Sequence, residues 1–261
     1  MSSRLVDIEK HGHVGLIRLN DSATLNAVSI EMVEQLAAAL KELEASSRAV
    51  LLSGVGRAFS SGANLSDGID FDDAEIDFGF SLETHMNPLM CQLRDLSIPW
   101  ITAVRGAAAG VGCSLALASD LVMASETAYF MQAFSRIGLV PDGGSSHLLV
   151  RTIGRVRAME MVLLGERIPA ARALEWGLVN FVVADDRLES EALVLAERLA
   201  NGPSSLAQTR RMVWKAIDND WDSVLAMERR EQQAAGRSAD CAEGVAAFLE
   251  KRPARFTGGM A

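Results

Sequence analysis

Between Gly106 and Gly112 the chain reads Gly-Ala-Ala-Ala-Gly-Val-Gly, with no side chain larger than valine. The run before it, Trp100-Ile101-Thr102-Ala103-Val104, has the length and apolarity of a buried strand, and the residues from Cys113 to Ala118 suit a helix. A solvated loop has no need of such uniformly small side chains, so this backbone must pack closely against something. Two readings follow. Either the turn seats a helix tightly on a strand, or it presents the free N–H groups of a helix start to negative charge. The glycine spacing differs from that of dinucleotide and Walker loops, and no Lys-Ser/Thr pair follows.

Other short apolar runs recur at residues 5–9, 14–19, 49–52, 121–124 and 179–183. The first two are joined by a His-Gly step, as a tight hairpin would be. Ser29 reads as an N-cap, and Ile30, Val33, Leu36, Ala37, Leu40 and Leu43 follow at helical spacing, predicting a helix over 30–45. A helix ending near residue 96 precedes Pro99, and a glycine-rich turn and helix span 106–118. From about residue 186 the pattern is helical throughout (187–200, 204–218, 221–235 and 240–250), with Pro203 as a joint. Short strands alternating with helices argue for an α/β fold of stacked β-β-α units over 1–200, followed by a helical region over 201–261.

Hydrophobic residues make up 49% of the 261 and charged residues 23%, which supports a large core and argues against disorder. A net charge of −9 repels phosphate backbones, so no nucleic-acid partner is expected. Three distant cysteines (Cys91, Cys113, Cys241) indicate no disulfide framework, and four histidines without ligand spacing indicate no metal site. The first ten residues lack a signal-peptide layout, and no apolar run reaches the roughly 20 residues of a membrane span. A cytoplasmic protein without a membrane association is the expectation.

Three segments offer chemistry. In Phe59-Ser60-Ser61-Gly62-Ala63-Asn64-Leu65 a glycine precedes Ala63 and can aim its N–H out of sheet pairing. The small-residue turn at 106–112 is the second. Two amides from separate turns converging on one point would form an oxyanion hole, each donor contributing about 2.7–4 kcal/mol to a transition state. The third is Ile137-Gly138-Leu139-Val140-Pro141-Asp142-Gly143-Gly144, a carboxylate in an apolar turn ahead of a helix. Asp142 is there either a base or an N-cap, and on local grounds the cap is the simpler role. Residues 66–80 crowd Asp67, Asp70, Asp72, Asp73, Glu75 and Asp77 around Phe71, Phe78 and Phe80. They read as a solvated loop with anchoring aromatics, or as a pocket wall that touches an apolar substrate.

Taken together and in order, these segments resemble the crotonase (enoyl-CoA hydratase/isomerase) superfamily. The likeness includes Leu25-Asn26-Ala27-Val28-Ser29, Ser61-Gly62-Ala63-Asn64-Leu65, the 106–112 turn, Glu175-Trp176-Gly177-Leu178-Val179 and Phe248-Leu249-Glu250-Lys251-Arg252. It implies a crotonase-like spiral of β-β-α units with a helical C-terminal region, and an enzyme that holds a thioester enolate on the N–H groups of Ala63 and Val111. The family commonly has Gly where Val111 stands. Its hydratases use two glutamates, and those positions here hold Ser114 and Phe134, so the hydratase mechanism lacks both groups. Asp142 falls where isomerase branches place their proton shuttle. The stretches from Ala133 to Asp142 and from Ala235 to Asp240 are similar to the branch that rearranges ring-epoxide phenylacetyl-CoA, which in turn resembles the Δ3,Δ2-enoyl-CoA isomerases.

The resemblance also implies coenzyme A as part of the substrate and no separate cofactor. The CoA moiety would lie along Asn26, Ala27 and Val28 and along Ala63, Asn64 and Leu65. Gly110, Val111, Ser114 and Phe134 would surround the acyl end, and Lys251 would reach the phosphates, often from a neighbouring subunit. A homotrimer or a hexamer of paired trimers is the family habit. Two alternatives stand beside the isomerase: a hydratase drawing its acid from Glu83 or Asp67, and an acyl-CoA-binding homologue without catalysis.

Overall fold

The protein is described by a computed structural model covering residues 4–65 and 75–258. Strands β1 (Val6–His11) and β2 (Val14–Leu19) form an antiparallel hairpin. Gly12 supplies the positive φ of 57° that its turn requires. Helix α1 (Ile30–Glu44) starts on Ser29, whose hydroxyl accepts the Met32 N–H at 3.1 Å, as the N-cap reading predicts. Strand β3 (Ala49–Gly54) then enters the sheet parallel to β2.

After the undescribed stretch come α2 (Phe78–Ser81), a π-helical turn (Leu82–Met86) and α3 (Asn87–Asp95). Phe78 and Phe80 are therefore helical, not loop as the sequence suggested. Asp77 caps that helix, accepting the Gly79 N–H at 2.7 Å. Strand β4 (Trp100–Val104) is followed by β5 (Ala107–Ala109) and α4 (Val111–Leu117). The single turn-and-helix expected over 106–118 is thus divided, because Ala107–Ala109 pairs as a strand with Tyr129–Met131. Strands β6 (Leu121–Ser125) and β7 (Tyr129–Met131) lead through a 3-10 turn (Ala133–Ile137) to α5 (Ser145–Leu164), which Gly154 interrupts at φ 76°. The chain continues through β8 (Ile168–Pro169), α6 (Ala170–Glu175), β9 (Phe181–Val183), α7 (Leu188–Ala200), α8 (Ser205–Ala216), α9 (Trp221–Ala235) and α10 (Ala239–Glu250).

A six-stranded sheet runs β1-β2-β3-β4-β6-β9, and a three-stranded sheet runs β5-β7-β8. From β4 to α5 the order repeats as a strand in the large sheet, a short strand in the small one, then a helix. These are the stacked β-β-α units the sequence indicates. Strands β3 and β4 read as near-continuous apolar runs because both faces are covered. Ile17, Leu19, Val50, Leu52, Trp100, Val104, Val122 and Ala124 face the main core with α1, α3 and α4. Val14, Leu16, Ala49, Leu51, Ile101, Ala103 and Met123 face Leu188, Ala192, Ala196 and Ala200 of α7. The strict alternation is the two-residue period of a strand. No helix among the described residues is long and apolar enough to cross a membrane.

One buried cation ties the C-terminal helices to this core. Arg210 of α8 is 4% exposed and meets Asp120 at 2.7 Å. Three more of its N–H groups donate to the carbonyls of Leu93, Arg94 and Leu96 at the end of α3, at 2.6–2.7 Å. Asp120 also accepts the Trp100 N–H at 2.9 Å. Burial raises the Asp120 carboxyl above its ordinary value, and Arg210 opposes that. Removing one partner of such a pair strands the other charge, so Arg210→Ala is expected to cost about 3–5 kcal/mol in urea unfolding. A midpoint equal to that of the wild type would show that this anchor holds nothing.

Candidate active site

Two turns from different layers meet at one point. Ser60 builds the junction: its N–H donates to the Ala107 carbonyl at 2.9 Å, and its carbonyl accepts the Ala109 N–H at 3.0 Å. The Ser60 hydroxyl donates to the Asn26 carbonyl at 2.8 Å and accepts the Gly62 N–H at 3.2 Å. Gly62 has a φ of 106° and Gly110 a φ of 50°. A Cβ on Gly62 would lie 3.1 Å from the Ala109 carbonyl oxygen and 3.9 Å from the Gly110 Cα. The two turns are therefore in direct contact; both glycines hold a positive φ that favours glycine, and at Gly62 the room for a Cβ is tight as well.

Each glycine precedes an amide left free. The Val28 N–H donates to the Gly62 carbonyl and the Asn64 N–H to the Val28 carbonyl, an alternating pattern that leaves Ala63 out. Val111 is the first residue of α4, where no preceding carbonyl within the helix is available. Among the described residues neither the Ala63 nor the Val111 N–H has a hydrogen-bond acceptor. Both residues line one cleft of about 580 Å³.

Asp142 lines the same cleft, and the cap reading does not survive. The N-cap of α5 is Gly144, with no side-chain bond to the helix. The Asp142 carboxyl caps nothing: its buried Oδ1 has no hydrogen-bond partner. Its backbone carbonyl, by contrast, accepts the Ser114 hydroxyl at 3.0 Å, the Ser145 N–H at 3.0 Å and the Ser145 hydroxyl at 2.9 Å. Burial pushes the carboxyl from 3.8 up to about 6. Among the described residues the lining holds two ionisable side chains, Asp142 and Arg136, and of these only Asp142 can act as a base near neutral pH. The remaining wall is mainly apolar, with Phe78, Leu82, Phe134, Ile137, Leu139 and Val140.

Val28, Ala63, Asn64, Leu65, Gly110, Val111, Phe134 and Asp142 come together around this cleft. Asn26 and Ser114 are fully buried behind it, and Ala27 is nearly so. The Asn26 amide is consumed internally: it donates to the Val55 and Ala58 carbonyls and accepts the Asp21 N–H. Asn26 thus braces the first turn and offers a ligand no side-chain atom. Lys251 is exposed at the end of α10 and does not line the cleft within one chain. Glu83 is an exposed residue of the π-helical turn outside the lining, and Asp67, with Asp70, Phe71, Asp72 and Asp73, lies outside the described residues. Phe78 walls the cleft, whereas Phe80 is 64% exposed. Cys113, next to the hole, is fully buried with its thiol pushed up to about 12, so it is no nucleophile. Among the described residues no three His, Cys, Asp or Glu side chains gather as a metal site requires.

Sequence reasoning missed Ser60 and Gly143. Ser60 looks like an ordinary polar residue after a strand, and only the pairing across sheets reveals its four bonds. Gly143 sits so close to α4 that a Cβ there would lie 2.8 Å from the Ser114 Cβ. The paired glycines 143 and 144 were a legible sign of a special turn, but not of what the turn rests on.

The chain matches the family model described as enoyl-CoA hydratase/isomerase over residues 9–259. It is 44% identical to the 1,2-epoxyphenylacetyl-CoA isomerase of Escherichia coli (strain K12), covering 93% of this chain and 94% of that protein. It is 41% identical to a Rhodobacter capsulatus protein named "Probable enoyl-CoA hydratase", over 99% and 100% of the two chains. Among solved structures, an enoyl-CoA hydratase from Bacillus anthracis superposes with a TM-score of 0.90 at 30% identity, covering 98% of this chain and 100% of that one. One from Polaromonas sp. JS666 gives 0.89 at 32%, covering 96% and 99%. Two adjoining turns with free amides, on a spiral fold shared at this level across nearly the whole length, place the protein in the enoyl-CoA hydratase/isomerase family.

Proposed function

We propose that this enzyme is an acyl-CoA isomerase with a single base, moving a double bond or rearranging a ring epoxide through a thioester enolate. The observation that carries the reading is the Asp142 carboxyl. It is half-buried in an apolar wall, its Oδ1 is unpartnered, and among the described residues no other carboxylate stands in the lining. Two positions about the cleft that could have brought a second acid or base hold Phe134 and Ser114.

In this scheme the thioester carbonyl accepts the N–H groups of Ala63 and Val111. That stabilises the developing enolate and acidifies the hydrogens on C2. Asp142, ionised, takes a proton from C2; the electron pair moves through C3 as the double bond shifts, and the same carboxyl delivers the proton to C4. One base on one face suffices, and an apolar wall shields the enolate from protons of bulk water. With a ring epoxide, the same donors and carboxyl would assist ring opening and expansion. Coenzyme A would run from the hole past Val28, Asn64 and Leu65. The exposed Val245, Phe248 and Leu249 of α10 support burial of that helix against another subunit. With the trimeric habit that the resemblance implies, light scattering is expected to give a mass that is a multiple of three times 28.0 kDa.

The direct test gives the enzyme a 3-enoyl-CoA and, separately, a 2-enoyl-CoA. Conjugation of the first is expected, with Asp142→Asn lowering kcat by about 10²–10⁴-fold. Hydration of the second, undiminished by Asp142→Asn, would overturn the assignment. Because the base must be ionised, kcat/KM should fall as the pH drops through about 6. A flat profile from pH 5 to 8 would speak against Asp142.

The same carboxyl bears on stability. Its folded value near 6 lies above its ordinary 3.8, so the native state holds the proton more tightly between those values. The stability this site contributes is complete below 3.8 and is lost as the pH rises through 6. Asp142→Asn should accordingly raise the melting temperature at about pH 7.5, with the gain vanishing near pH 4. A destabilised Asn variant at the higher pH would contradict the buried, unpaired carboxylate.

A further inference from the structure

The Asp142 carboxyl has no side chain holding its Oδ1 in place, so its position in the cleft depends on its own backbone. That backbone hangs on one carbonyl. Two of the three hydrogen bonds to it, from the Ser145 N–H and hydroxyl, are local to the start of α5. The third comes from another element: the Ser114 hydroxyl, from α4, at 3.0 Å. Ser114 is fully buried and does not itself line the cleft. Its hydroxyl also approaches the Gly110 carbonyl at 3.4 Å, and its N–H donates to that carbonyl at 3.2 Å. Gly110 is the residue whose turn frees the Val111 N–H.

Packing points the same way. A Cβ built on Gly143 would meet the Ser114 Cβ at 2.8 Å, the Ser114 hydroxyl at 3.2 Å and a Val111 methyl at 3.4 Å. The turn following Asp142 therefore lies directly on α4, at the one place where its hydroxyl can reach up. We infer that Ser114 is a positioning residue: it ties the Asp142 turn to the helix that carries the Val111 N–H, and so sets the distance between the base and the oxyanion hole. The inference rests on Asp142 being the base. A role through geometry differs from a role through stability, because reacting atoms tolerate little displacement: an error of about 1 Å can cost about 10²-fold in rate.

The test compares Ser114→Ala, Ser114→Cys and Ser145→Ala with wild type on a 3-enoyl-CoA, reading kcat, KM, the pH profile and the melting temperature. Ser145→Ala removes a hydrogen bond from the same carbonyl without touching the link to α4, so it reports what loss of a bond does to stability alone. For Ser114→Ala we expect kcat to fall about ten- to hundredfold with KM within about twofold. Its acid limb should move below the wild-type position, because a loosened turn lets water reach the carboxyl. Among the described residues Arg136 is the other ionisable group in the lining, and none of these variants touches it. Ser114→Cys keeps the volume but donates weakly, and should fall between wild type and Ala. Ser145→Ala should lower the melting temperature while leaving kcat and the acid limb in place. The inference is overturned if Ser114→Ala keeps the wild-type kcat and acid limb, or if the two alanine variants lower kcat alike. Asp142→Asn, run alongside, separates the causes: full activity there fells the base itself, whereas an inactive Asp142→Asn beside a fully active Ser114→Ala fells only the role of Ser114.

Discussion

Ser60 joins the segment after β3 to β5 by two backbone hydrogen bonds, and its hydroxyl spans from the Asn26 carbonyl to the Gly62 N–H. Four bonds at one fully buried residue bring together two stretches of chain that leave different strands of the large sheet. Glycines at 62 and 110 let those stretches touch, and each then turns its next amide away from the pairing network. Everything functional follows from this contact. Without it there would be two unremarkable turns, each with an unsatisfied N–H that water would take up. With it, two N–H groups share one wall of an apolar cleft, where their dipoles act with little screening. The buried Asn26 amide, bonded to the Val55 and Ala58 carbonyls, keeps the approach to Ser60 from moving.

The charge arrangement has its own logic. A cleft that stabilises an enolate gains from a low dielectric, yet the same dielectric penalises the carboxylate needed to create that enolate. Among the described residues the lining offers one half-buried carboxyl, which burial pushes up to about 6. It is basic enough to remove an acidified hydrogen and still ionised near neutral pH. A second carboxylate in the same apolar wall would raise one of the two further by repulsion, leaving it protonated. The apolar lining and the single base are thus one design decision seen from two sides, and the price falls on the native state.

Much of the fold could be read from the chain because its signals were local and periodic. The parallel strands announced themselves as apolar runs, α1 by its Ser29 cap and spacing, and the C-terminal helices by amphipathic periods that the structure reproduces to within two residues. Strands β5, β7 and β8 escaped because two or three residues carry no period, and Ala107–Ala109 exists as a strand only through pairing with Tyr129–Met131. The site was legible at Gly62, Gly110 and Asp142, where glycine and a lone carboxylate have few other reasons to stand. It was illegible where a residue acts from behind: Asn26, Ala27 and Ser114 fall in the right motifs, but the structure withdraws them from the cleft surface. Motif position says that a residue is near the chemistry; burial decides whether it touches.

That distinction explains how a site can depend on side chains that never meet a substrate. The proposed oxyanion hole consists of backbone, so no side-chain identity at 63 or 111 would supply its donors, and a valine at 111 can stand there with its methyl packed on the Gly143 turn. The proposed base, Asp142, is a side chain, but one whose Oδ1 no neighbour grips, so its aim is again set by backbone. In both cases the sequence acts one step removed, through the glycines that permit the turns and the serines that pin them. In that reading Ser60 pins the first of the two turns and Ser114 pins the Asp142 turn to α4, each by donating to a backbone carbonyl. Such a site can change the acyl group it receives by altering Phe78, Phe134 or Val140 without disturbing either pin, since none of the three takes part in those hydrogen bonds. The separation of pinning residues from walling residues is what allows a shared oxyanion geometry to sit beneath different acyl pockets.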